Sequence, residues 1–185
     1  VQALRQGGYV LLMRHASSSH EVPDKATANA DNIKPERQLD QTGRDTAMAM
    51  GAAMKKLGVP VGDVLSSPTY RALETIKLAG FGTAKMFEEL GDGGTSMSSQ
   101  AVAGWAPWLK MRVSERPLAG TNSILVTHLP NIAAAFPDEA KGLSDGEVLV
   151  FLPAGTDAGL VARLKIEEWP RLAKGAPPHP GNGDK

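Results

Sequence analysis

Residues 10–19 read VLLMRHASSS, and how this stretch is understood decides how the rest of the chain is read. Val10, Leu11, Leu12 and Met13 form a short apolar run, the signature of a strand buried on both faces. Such a strand normally ends at glycine, proline or a small polar turn residue. Here it ends at Arg14-His15. A permanent cation and a titratable imidazole stand at the exit of the core, where open α/β sheets bind ligands.

The bulk properties narrow the possibilities. The chain has 185 residues and is 42% hydrophobic, enough for one domain with its own core. Its formal net charge is +0, which speaks against a polyanion such as nucleic acid as principal partner, so a basic site has to be local. Cysteine is absent, excluding disulfides and thiolate metal sites. No apolar run approaches the roughly 18–20 residues that span a bilayer.

Outward from the first strand (residues 9–13), strands and helices alternate. Residues 17–38 are polar and too long for an ordinary connection, which marks them as a functional loop. A helix follows, with Thr42 and Asp45 spaced as a capping box, Ala47, Met50, Met54 and Leu57 on one face, and Gly58 as its stop. DVLSS is the second strand. SPTYRALETIKLAG is a helix with Ser67 as cap, Pro68 in the first turn and Gly80 at its end. A short strand is expected at residues 85–87. Val102, Trp105, Leu109 and Val113 have helical spacing, and SILVTH is a buried strand followed by a short helix from Pro130. EVLVFLP and GLVARLKIEEW read as two strands joined by a hairpin through AGTDA. The expected fold is a three-layer α/β/α domain with a mostly parallel central sheet over residues 1–173. Residues 174–185, rich in proline and glycine, read as a disordered tail.

Three strand exits carry related chemistry: LLMRHA, VLSSPTYR and ILVTHLP. They deliver Arg14 and His15, then Ser66 and Arg71, then Thr127 and His128. On parallel neighbours these side chains share one rim. Two guanidinium forks and two imidazoles form a cage for a phosphate-like anion, in which an imidazole can attack or donate. Arg71 falls in the first turn of its helix, where the macrodipole disfavours a cation by roughly 0.3–1 kcal/mol. A bound anion would turn that misfit to advantage.

With these residues in view, the sequence resembles the histidine phosphatase superfamily, the phosphoglycerate-mutase-like proteins, over residues 6–153. Arg14-His15-Ala16 resembles the family's Arg-His-Gly triplet, LDQTGR (residues 39–44) its Leu-x-x-x-Gly-Arg helix start, and SSPTYRALET (residues 66–75) its Ser-Ser-Pro-x-x-Arg-Ala-x-x-Thr block. His128 matches the second histidine. The resemblance implies the phosphoglycerate-mutase-like fold and a metal-independent phosphatase without cofactor. His15 would attack phosphorus to form a phosphohistidine, and Arg14, Arg71 and His128 would hold the phosphoryl oxygens. An acid would protonate the leaving group and then activate water. In the family this acid follows the third strand. Glu88, Glu89 and Asp92 are the candidates, and Glu89 aligns best. Strand alternation would put Glu88 and Glu89 on opposite faces.

Each residue also has a structural reading. A lone histidine after a strand is more often a hydrogen-bonded structural residue, and Arg71 alone more often a solvated helix residue; the ordered blocks favour chemistry. Ser66 and Thr127 read as turn and packing residues, and Trp105 and Trp108 as core and helix surface. His20, Glu21 and Asp24 match no metal-ligand spacing on a helix face, so no metal site is expected. SSSH lacks the Gly-x-Ser-x-Gly elbow of serine hydrolases. His179 lies in the tail. Ala16 and Leu129 stand where relatives carry glycine, the polar contact six residues after the first histidine falls at Val22 or Glu21, and the chain is too short for the insertions of the mutases. Hydrolysis is therefore favoured over mutase transfer. The expected partner is a small phosphorylated substrate or a phosphoprotein. Residues 17–38 would select it, with Arg37 as a secondary contact. Alternatives are a protein phosphohistidine phosphatase and a non-catalytic phosphate-binding protein. RQGGYVLLMRHA resembles the opening of secreted bacterial proteins, and the first residue is Val1 rather than Met, so an exported, periplasmic location is favoured over a cytoplasmic one.

Overall fold

Six strands pair into one sheet in the order β3-β2-β4-β1-β5-β6. The structure is a computed structural model that describes residues 1–93 and 103–175. The strands are β1 (Val10–Arg14), β2 (Val61–Ser66), β3 (Lys85–Met86), β4 (Asn122–Thr127), β5 (Val148–Ala154) and β6 (Asp157–Leu164). β1 to β4 are parallel neighbours, whereas β5 runs antiparallel to β1 and β6 antiparallel to β5. Every residue of β4 is buried, as expected of a central strand covered on both faces.

The helices are α1 (Gln41–Lys56), α2 (Tyr70–Ala79), α3 (Trp105–Ser114), α4 (Leu129–Ala135) and α5 (Glu168–Lys174), with short 3₁₀ turns at Ala3–Gln6 and Glu88–Leu90. Side-chain alternation explains the unbroken apolar run of β1. Leu11 and Met13 join a core with Met50 and Met54 of α1, Ile76 of α2 and Trp169 of α5. Val10 and Leu12 face the opposite core, with Leu109 of α3 and Ile132 of α4. The result is the expected three-layer α/β/α domain, mostly parallel and closed at one edge by the β5–β6 hairpin. α1 and α2 pack so closely that a Cβ on Gly51 would lie 1.8 Å from the Ala79 carbonyl oxygen.

Several local expectations are corrected. α1 is capped by Asp40 rather than by Thr42: Asp40 Oδ1 accepts the Gly43 N–H at 2.7 Å, so the helix begins one residue before the expected box. Likewise α2 begins after Thr69, not Ser67. The Ser67 N–H still donates to the Val126 carbonyl, at 2.9 Å, so Ser67 belongs to the sheet margin. The second strand begins at Val61, two residues before DVLSS. GLVARLKIEEW is not one strand. Pairing stops at Leu164, and Trp169 and Ala173, four apart, belong to a helix that buries both beside α1. That helix, α5, was not expected. Val102 and residues 176–185, including His179, lie outside the described residues.

Candidate active site

The sheet register brings the three exits level. Arg14 pairs with Thr127 and Ser66 with Val126, so β2, β4 and β1 end side by side. The pairing continues one residue further, where the His15 N–H donates to the Thr127 carbonyl at 3.0 Å. His128 follows Thr127 directly and precedes α4. Arg71 reaches the same point from the first turn of α2.

Arg71 joins the two histidines. Its Nε donates to His15 Nε2 at 3.2 Å, and its Nη2 donates to His128 Nδ1 at 3.1 Å. The two rings meet edge to face, 5.1 Å between centroids. These neighbours dictate both tautomers. His15 Nδ1–H donates to the Ala16 carbonyl at 2.8 Å, leaving the Nε2 lone pair facing the guanidinium. His128 accepts at Nδ1, so its Nε2–H donates to Ser67 Oγ at 2.9 Å. Both rings are almost wholly buried, with exposures of 6% and 2%. Burial pulls the His15 pKa from 6.5 down to about 4; the Ala16 carbonyl opposes this and Arg71 reinforces it. Burial, then Arg71 and His15, pull His128 down to about 3. At neutral pH both imidazoles are uncharged, and His15, whose Nε2 carries the free lone pair, is in the form that can act as a nucleophile.

Arg14 lies within the electrostatic reach of His15. It forms an ion pair with Asp145 at 2.6 Å and donates to the Leu143 carbonyl at 2.8 Å. The loop before β5 is tied in further by the Gly146 N–H, which donates to the His15 carbonyl at 2.9 Å. The sequence alone gave no signal for Asp145. Its contact arises because β5 lies against β1, a pairing that residue order does not specify. Arg37 donates to Ser18 Oγ and the Ser19 carbonyl, both at 2.8 Å, and lies within the electrostatic reach of Arg14 and Arg71. The loop of residues 17–38 thus contributes a third arginine to the site's field. It is fastened to α2 by Asn29, which donates to Glu74, and by Asp31, which accepts from Tyr70 and pairs with Lys77. Burial raises the Glu74 carboxyl pKa.

The acid candidates separate. Glu88 and Glu89 lie in a 3₁₀ turn, so strand alternation does not apply to them. Asp92 Oδ2 accepts from Arg71 Nη2 at 2.7 Å, on the same guanidinium that contacts both histidines. Glu89 enters the hydrogen-bond network through its backbone carbonyl, which accepts from Asn131 at 2.7 Å. Asn131 was not singled out by the sequence. Among the described residues no three His, Asp or Glu side chains are grouped to hold a metal ion. Asp24 instead closes its own turn, accepting from the N–H groups of Ala26 and Thr27.

No family model and no curated protein matches the sequence. Solved structures do match in fold. The protein histidine phosphatase SixA complexed with tungstate is 20% identical, covers 86% of this chain and 98% of its own, and gives a TM-score of 0.59. A candidate alpha-ribazole-5'-P phosphatase from Escherichia coli is 16% identical over 86% of this chain and 98% of its own, with a TM-score of 0.57. A phosphoserine phosphatase from Entamoeba histolytica, a histidine-to-alanine mutant in complex with phosphoserine, is 16% identical over the same shares, 86% and 98%, with a TM-score of 0.56. The chain therefore has the phosphoglycerate-mutase-like fold that these phosphatases share.

Proposed function

We propose that this chain is a histidine phosphatase, a phosphoric monoester hydrolase that works through a phosphohistidine on His15. The observation that carries the reading is the Arg71 guanidinium bridging two buried, neutral imidazoles, with the His15 tautomer fixed by the Ala16 carbonyl. A phosphoryl group placed there would take the arginine donors that now rest on the rings.

In the first step the His15 Nε2 lone pair attacks phosphorus and the bond to the leaving oxygen breaks. Arg14 and Arg71 stabilise charge on the phosphoryl oxygens, and Arg37 adds to the positive field. His128 joins them when the phosphate dianion draws a proton to its Nδ1 in place of the Arg71 contact. Asp92 is the acid we favour over Glu89, because its carboxylate already sits on Arg71. A phosphate dianion that takes over this guanidinium removes a contact favouring the ionised carboxylate and adds negative charge beside it, so a proton on Asp92 is favoured. Asp92 gives that proton to the leaving oxygen. In the second step water attacks phosphorus, Asp92 takes the water proton, and the P–N electron pair returns to His15. The arginines supply the positive charge, so the chemistry is proposed to need no metal.

The substrate class supported by the cage is a phosphomonoester. A protein phosphohistidine is the second reading, supported by the likeness to structures described as histidine phosphatases. Turnover of p-nitrophenyl phosphate by the parent and none by His15→Ala tests the enzyme reading. Rapid acid-free quench should trap an acid-labile, base-stable phosphoprotein in the parent alone. Oxyanion binding without turnover in the parent would instead identify a phosphate-binding protein.

A further inference from the structure

Two buried side chains flanking His128 form a clamp that the chemistry described so far does not use. Thr127 Oγ1 donates to the Leu90 carbonyl at 2.7 Å. Asn131 Nδ2 lies 2.7 Å from the Glu89 carbonyl oxygen, 3.3 Å from that of Gly91 and 3.1 Å from Thr127 Oγ1. Three consecutive carbonyls, those of Glu89, Leu90 and Gly91, are thus gathered by two side chains. The next residue is Asp92, whose carboxylate meets Arg71.

The turn so held has little freedom of its own. The Gly91 N–H closes it by donating to the Glu88 carbonyl at 2.8 Å, and a Cβ on Gly91 would lie 3.4 Å from the Trp105 ring. Packing alone would be served by valine and leucine at these two positions. A buried hydroxyl and a buried amide are costly to desolvate unless their hydrogen bonds are made, and here they are made to one short backbone segment. Thr127 ends β4 and Asn131 lies in the first turn of α4, so the same strand–helix junction that carries His128 also carries the turn leading to Asp92.

We propose that Thr127 and Asn131 are positioning residues that lock the turn at residues 89–91 to the junction bearing His128, and thereby set Asp92 at proton-transfer distance from the leaving oxygen. The proposal rests on Asp92 as the acid. Proton transfer is sensitive to placement, and a displacement of about 1 Å can lower a rate about 100-fold. The loss should depend on how much the leaving group needs a proton.

The test compares kcat/KM, which reports formation of the phosphoenzyme, for an alkyl phosphate and for p-nitrophenyl phosphate. Thr127→Val and Asn131→Leu should lower the alkyl-to-nitrophenyl ratio at least about tenfold, approaching the ratio of Asp92→Asn. Thr127→Ser, which keeps the hydroxyl, should retain the parent ratio. In an Asp92→Asn background neither clamp substitution should lower the ratio further, since residues acting through one group are not additive. Circular dichroism melting identifies variants that do not fold; if Asn131→Leu is one, Thr127→Val and Thr127→Ser carry the comparison. Equal losses on both substrates, or an unchanged ratio, overturn the clamp. If Asp92→Asn collapses the ratio and the clamp variants do not, the clamp alone fails. If Asp92→Asn leaves the ratio intact, the acid assignment fails and the clamp falls with it.

Discussion

Lowering the pH from about 7 to about 4.5 should destabilise this protein by about 2.5 kcal/mol through His15 alone. The magnitude follows from the site. Burial holds the folded-state pKa of His15 at about 4, against 6.5 when the ring is exposed. That gap of roughly 2.5 pH units, at about 1.36 kcal/mol each, sets a ceiling of about 3 kcal/mol. The sign follows from which state binds the proton. Between the two values the unfolded chain is protonated and the native ring is not. Stability is therefore fully present above about 6.5 and is lost as pH falls toward 4. Other groups titrate in the same range, so the quantity to measure is a difference. Urea unfolding at the two pH values, for the parent and for His15→Asn, isolates the contribution, because the asparagine carries no titratable proton. The parent should lose about 2.5 kcal/mol more than the variant over this interval. Parallel pH profiles, within about 0.5 kcal/mol, would refute a His15 kept neutral by burial, and would weaken the case for His15 as a nucleophile ready at neutral pH.

The low histidine pKa also bears on rate: the acidic limb of kcat/KM assigned to free-enzyme His15 should lie near 4 rather than near 6.5, read from pH–rate profiles at subsaturating substrate after allowing for the substrate's own phosphate ionisation. Arg71→Lys should lower kcat/KM for p-nitrophenyl phosphate by about 100-fold or more, because an ammonium cannot pass a planar fork of donors from the two rings to the phosphoryl oxygens as the guanidinium does. Asp92→Asn should reduce alkyl phosphate hydrolysis by about 100-fold or more while p-nitrophenyl phosphate suffers far less; the same selectivity in Glu89→Gln with a normal Asp92→Asn would move the acid back to Glu89. Activity should survive prolonged dialysis against EDTA, and a loss restored by Zn²⁺ or Mg²⁺ would contradict arginine-based charge neutralisation.

How much could be read from residues alone depended on whether a feature is local. β1 was legible because apolar residues followed by Arg14-His15 are unusual in any fold. Arg71 stood out because it breaks the preference of a helix start for negative charge. The likeness of SSPTYRALET and of the residues around His15 and His128 to one family then tied these exits to one pocket. Boundaries were less legible. The cap of α1 moved because Asp40, not Thr42, accepts the Gly43 N–H, and that of α2 moved because the Ser67 N–H is still paired with the Val126 carbonyl of the sheet. α5 was missed because LKIEEW continues the apolar character of β6, and only the burial of Trp169 beside α1 shows where extended pairing gives way to a helix.

The sequence by itself determined the chemistry available: which residues are cationic, which are nucleophilic, and that they follow strands. The tertiary structure decided which of them meet. It placed β4 between β1 and β2, and so brought His15, Arg71 and His128 together. It laid β5 against β1, and so put Asp145 on Arg14. It folded residues 88–90 into a 3₁₀ turn, and so presented Asp92 to Arg71 where alignment favoured Glu89. The physical reason is that residue identity and spacing fix local preferences. Contacts between segments far apart in the chain depend instead on strand order, register and burial, which the whole chain settles together.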